Sequence, residues 1–130
     1  MIAADTSTWV AYLEGATEND AELLRQALSD KHAVMAPVVL SELLSDPGLP
    51  SQVAASLADL PLLQTTAGYW QRAGLLRAKV LALGRRARLG DALVAQSCID
   101  EGVPLLTRDR DFRVFAEAAG LDLVVGYRTD

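Results

Sequence analysis

Histidine and cysteine are almost missing from this 130-residue chain, with His32 and Cys98 the only one of each. One thiol cannot close an internal disulfide, so nothing calls for an oxidising compartment. One imidazole and one thiol are also a poor basis for a zinc centre, which draws mainly on those two side chains. Lysine is nearly as scarce, with Lys31 and Lys79 beside ten arginines, and acids outnumber bases 17 to 12 for a net charge of −5. That balance excludes a general nucleic-acid coat, which would be strongly basic. No apolar run approaches the ~20 residues of a membrane helix. The opening Met1-Ile2-Ala3-Ala4 lacks the basic stretch of a secretory leader. The expectation is a soluble, cytoplasmic protein folded as a single domain over residues 1–130.

What the chain does have is apolar residues, 51% of the total, arranged in alternating strand and helix periods. Strands are expected at 1–4, 32–36, 60–64, 103–106 and 123–125. Pro61 confines the third of these to an edge or a short piece. Helices are expected at 6–14, 19–29, 38–45, 50–58, 69–83, 90–100 and 111–119, several of them ended by glycine. Alternating βα units imply an α/β fold with a parallel sheet and right-handed crossovers.

The acids stand out against this frame. Asp5 ends the first strand, and Asp109 follows the fourth in Leu105-Leu106-Thr107-Arg108-Asp109-Arg110-Asp111-Phe112. Ligands of open α/β sheets bind beyond the carboxyl ends of the strands, so both acids belong to one edge. Glu42 lies five residues past Pro37, about one turn up a helix from that edge, among Val38, Val39, Leu43 and Leu44. A carboxylate in such surroundings is costly unless something positive faces it. Asp91 follows Gly90 at the start of a helix rich in small and apolar residues. Capping explains Asp5, Asp91 or Asp109 taken singly. It explains Glu42 poorly, and it gives no reason for convergence. Carboxylates gathered this way repel unless cations hold them, and oxygen ligands suit Mg²⁺ or Mn²⁺. Ser7 and Thr107 stand beside the acids, placed either to hydrogen-bond them or to serve as turn hydroxyls. Arg85, Arg86 and Arg88 precede Asp91, while Arg108 and Arg110 flank Asp109. Arginine favours bidentate contact with phosphate or carboxylate.

Four segments in series resemble the PIN domain, in particular the VapC-type toxins of bacterial and archaeal toxin–antitoxin pairs. They are Ile2-Ala3-Ala4-Asp5-Thr6-Ser7-Thr8-Trp9, Pro37-Val38-Val39-Leu40-Ser41-Glu42-Leu43, Asp91-Ala92-Leu93-Val94-Ala95 and Leu106-Thr107-Arg108-Asp109-Arg110-Asp111-Phe112. The resemblance implies a three-layer α/β/α sandwich around a mainly parallel, five-stranded sheet. It implies an endoribonuclease using Mg²⁺ or Mn²⁺, with Asp5, Glu42, Asp91 and Asp109 as the acidic set. Asp111 is then a nearby helper or the cap of the last helix. RNA phosphodiesters would be hydrolysed by activated water, leaving 5′-phosphate and 3′-hydroxyl ends. Arg85, Arg86, Arg88, Arg108 and Arg110 become candidates to hold RNA or an antitoxin. Such proteins are commonly homodimers, inhibited by a small antitoxin whose tail enters or covers the acidic pocket.

Two rivals compete. A receiver-like phosphoacceptor domain also collects acids at strand ends, but it needs a lysine after the final strand and an acceptor aspartate after the third. Lys31 and Lys79 are misplaced for that role, and Leu62-Leu63-Gln64-Thr65 offers no acid. The other rival is a catalytically silent PIN-like binding module whose acids dock a basic partner.

Overall fold

A computed structural model describes residues 1–125. Ile2–Ala4 forms β1, Ala33–Val34 β2, Leu105–Thr107 β3 and Leu123–Val125 β4. All pair in parallel, in the order β2-β1-β3-β4. The central strands are continuous apolar runs, as strands covered on both faces must be. Ala3, Ala4, Leu105 and Leu106 are all buried. Among the described residues, seven helices surround this sheet: α1 (Thr6–Leu13), α2 (Asn19–Ser29), α3 (Pro37–Leu44), α4 (Ser51–Ala58), α5 (Tyr69–Ala82), α6 (Leu89–Glu101) and α7 (Arg113–Ala119). Trp9, Val39, Val80, Phe112 and Phe115 fill the space between helices and sheet.

Among the described residues the sheet has four strands where five were expected. Residues 60–64 touch it through a single bridge between Met35 and Leu62. Met35 N–H donates to the Pro61 carbonyl at 2.8 Å, and Leu63 N–H donates to the Met35 carbonyl at 2.9 Å. Pro61 has no N–H to lengthen the ladder, and Leu62 is left exposed. The last predicted helix is also split. Arg110–Phe112 is a 3-10 turn, and α7 starts only at Arg113. The Asp109 carboxylate causes the tight turn by accepting the Asp111 N–H at 2.9 Å.

Helix α6 ends on Gly102 in the left-handed region, at φ 64°. A Cβ there would meet nothing within 4 Å, so the penalty of a side chain is purely one of backbone conformation. Gly102→Ala is expected to lower stability by about 1 kcal/mol, read as a lower denaturant midpoint.

A buried charge joins the amino-terminal helices to the end of β3. The Asp20 side chain on α2 has no solvent exposure. Arg108 donates to both its oxygens, Nε at 2.7 Å and Nη2 at 2.8 Å, and the Thr8 hydroxyl donates at 3.0 Å. Burial alone would raise the Asp20 pKa, but the bonds from Arg108 and Thr8 outweigh it and the net shift is downward. This clasp fixes Arg108, and with it the backbone between Thr107 and Asp109.

Candidate active site

Strands β1 and β3 are parallel neighbours, so their carboxyl ends open on one edge. Asp5 is the first residue beyond β1, and its N–H donates to the Leu106 carbonyl at 3.0 Å. It caps α1 as well: its carboxylate accepts the Thr8 N–H at 3.2 Å. The capping and site readings of Asp5 are therefore compatible. Ser7 Oγ bonds both Asp5 oxygens at 2.9 Å. The Thr107 hydroxyl also bonds Asp5 while accepting the Asp109 N–H at 2.9 Å. Thr107 thereby ties the two strand-end acids together. Pro37 opens α3, where the missing N–H costs nothing. One turn on, Glu42 accepts a 2.9 Å bond from the Thr6 hydroxyl. Asp91 stands in the first turn of α6.

Asp5, Glu42, Asp91 and Asp109 all line one cavity of about 130 Å³, walled on its apolar side by Val94 and Phe112. Asp91, Asp109 and Asp111 each offer an oxygen within 4.8 Å of the others. Asp111 is thus a third carboxylate beside Asp91 and Asp109, whereas the cap of the turn is Asp109. The crowding has an electrostatic signature. The Asp91 carboxyl is pushed up to about 6, first by burial and then by Asp109, with Asp5 and Asp111 adding and Arg88 opposing. Burial likewise raises Asp5, against hydrogen bonds from Thr107, Ser7 and Thr8. An all-oxygen donor set whose members resist ionising together fits a hard divalent cation.

The arginines separate by position. Arg88 lines the cavity. Arg86 Nη1 lies 4.0 Å from Asp111, and Arg85 lies 3.6 Å from Glu117. Arg110 is exposed on the 3-10 turn. Arg108, grouped with these from the sequence, is instead occupied by Asp20, with Glu18 at 3.7 Å. His32 is exposed and away from the acids lining the cavity. Of the aromatics, Trp9 and Tyr69 are core, while Trp70 is exposed. Sequence reading passed over Thr6, whose hydroxyl steers Glu42, and the pair Thr8 and Asp20. The run Thr6-Ser7-Thr8 directly after Asp5 was a usable signal for Thr6. Nothing in the order of residues pointed to Asp20, which lies 88 positions from Arg108.

The sequence pattern that defines the PIN domain matches residues 2–118. The chain belongs to the PIN domain family. Among curated proteins, none matches. Solved structures share the fold. A VapBC-5 toxin–antitoxin family member from Mycobacterium tuberculosis superposes with a TM-score of 0.68 at 22% identity, over 95% of this chain and 97% of that one. VapBC2 from Rickettsia felis, bound to a promoter DNA fragment, gives 0.71 at 23% identity over 96% and 98%. DNA-bound VapBC from Salmonella typhimurium gives 0.72 at 18% identity over 98% and 100%. The acid cavity is therefore carried by a PIN domain, and the segments that supply it fall within the matched residues.

Proposed function

We propose that this PIN domain is a metal-dependent endoribonuclease, the toxin of a type II toxin–antitoxin pair. The observation that carries the reading is the meeting of Asp5, Glu42, Asp91 and Asp109 in one small cavity. Asp5, Asp91 and Asp109 would hold Mg²⁺ or Mn²⁺, with Glu42 completing the set directly or through water, and Asp111 within reach as a helper. A bound ion of this kind lowers the pKa of its water and offsets charge building on the phosphate under attack. The protein's own part is positional. Ser7 and Thr107 fix the Asp5 oxygens, Thr6 fixes Glu42, and Val94 and Phe112 supply a dry wall.

The proposed partner is a small antitoxin, supported by the toxin–antitoxin complexes among the structural neighbours. An apolar groove bounded by Val10, Leu13, Leu43 and Leu49 shares Thr6 and Glu42 with the catalytic cavity, and it carries Glu14 and Asp46. It suits a partner segment with apolar and basic side chains. A homodimer in the cytoplasm completes the reading. On α5, Trp70 and Leu75 are 64% and 71% exposed, apolar side chains that a second copy would cover.

The test is cleavage of RNA by the purified protein. Cutting is expected with Mg²⁺ or Mn²⁺, is lost in EDTA, and returns when the ion is restored. Asp5→Asn is expected to cut about a thousandfold more slowly, since several kcal/mol of transition-state stabilisation depend on the ion. Undiminished cleavage by Asp5→Asn would refute the reading.

A further inference from the structure

The catalytic cavity is electrically lopsided. On one side Glu42 joins it to the groove that carries Glu14 and Asp46. Elsewhere in the lining stands Arg88, the only cation among the lining residues. The neighbouring arginines have carboxylates of their own: Arg85 has Glu117, Arg86 has Asp111, and Arg108 has Asp20. Arg88 is exposed, and it closes no ion pair among the described residues although it lines a cavity full of acids. Its side chain is not needed to start α6. The residue is the N-cap of that helix by its backbone alone, with no side-chain capping bond.

We infer that Arg88 grips the scissile phosphate, and that the RNA backbone enters the cavity past Arg88 rather than over Glu14 and Asp46. The inference rests on the nuclease reading above. A phosphate entering a cavity of carboxylates is repelled, and a planar fork of N–H donors on the rim supplies both attraction and orientation. Arg85 and Arg86 are exposed on the same segment, but each lies beside its own carboxylate, which leaves Arg88 as the lining cation that meets the phosphate. Glu14 and Asp46 make an approach over the groove unfavourable for a polyanion.

Wild type, Arg88→Ala, Arg88→Lys, Glu14→Gln and Asp46→Asn are to be compared in RNA cleavage with Mn²⁺. Calorimetric titration with Mn²⁺ in the absence of RNA accompanies each. Arg88→Ala is expected to cleave about 100-fold more slowly, while binding Mn²⁺ at least as tightly as wild type because a competing cation has gone. Arg88→Lys should recover part of the rate, and the Glu14 and Asp46 variants should cut normally. Arg88→Gln takes the place of Arg88→Ala if the latter melts early. Wild-type cleavage by the Arg88 variants would overturn the inference. So would a rate loss matched by lost Mn²⁺ affinity, which would make Arg88 a prop for the acids. A gain in rate confined to the Glu14 and Asp46 variants, the mark of relieved repulsion, would place the RNA over the groove instead and overturn the inference. If wild type leaves RNA intact in Mn²⁺, the nuclease reading itself falls.

Discussion

Asp91→Asn is expected to abolish RNA cleavage and at the same time to stabilise the ion-free protein at neutral pH. The two effects share one cause. Raising a carboxyl from 3.8 to about 6 means that the ionised side chain costs the folded state roughly 3 kcal/mol. Partial exposure trims that to about 2 kcal/mol. The sign follows from proton linkage. Folded Asp91 holds its proton more tightly than the unfolded chain, so the acid group favours folding below the unfolded value. That advantage is lost as pH rises toward the folded value. In EDTA, wild type should therefore lose stability relative to Asp91→Asn between about pH 4 and pH 6, with the gap constant above. Thermal melts of both proteins across that range check the sign. Adding Mn²⁺ should reverse the order at pH 7, raising the melting temperature of wild type and leaving the variant unmoved. Expressed in cells, the variant should also relieve the growth arrest that the proposed toxin role predicts for wild type.

Arg108→Ala is expected to cost about 3 kcal/mol or more, the usual result of leaving a buried carboxylate without its partner. Asp20 would lose both guanidinium bonds and keep the Thr8 hydroxyl. The pH dependence should change with it. In wild type the Asp20 pKa is lowered, so its contribution is present above its unfolded value of 3.8. That contribution fades as acid protonates the carboxylate. Once Arg108 is gone, burial dominates, the shift turns upward, and the variant should be relatively better off at acid pH than at neutral pH. Urea denaturation at pH 4 and pH 7 measures both predictions. Cleavage should fall as well, because Arg108 lies between Thr107, which bonds Asp5, and Asp109. Asp20→Asn is the milder companion, since the amide keeps an acceptor for Arg108.

That these four acids line one cavity was legible in the sequence because of where each sits in the βα pattern. Asp5 and Asp109 end apolar runs, Asp91 starts a helix, and Glu42 is a carboxylate out of place on an apolar helix. Strand ends on one sheet edge follow from parallel pairing alone, so their convergence could be argued without coordinates. What was not legible depended on long-range partners. Arg108 reads as a free cation beside Asp109 until α2 is packed and Asp20 closes on it. The fifth strand failed for a local reason, because Pro61 stops a ladder that hydropathy alone would extend. The split of the last helix turned on the Asp109 carboxylate bonding backbone two residues on. That local competition is one hydropathy does not register.

Calorimetric titration of the purified protein with Mn²⁺ at pH 7, beside Asp5→Asn and Asp91→Asn, bears most directly on the claim that these carboxylates gather around a divalent ion. Wild type should give saturable binding with release of protons, and both variants should lose most of it. Flat titrations for wild type, or full binding by the variants, would mean that the acids serve some other purpose.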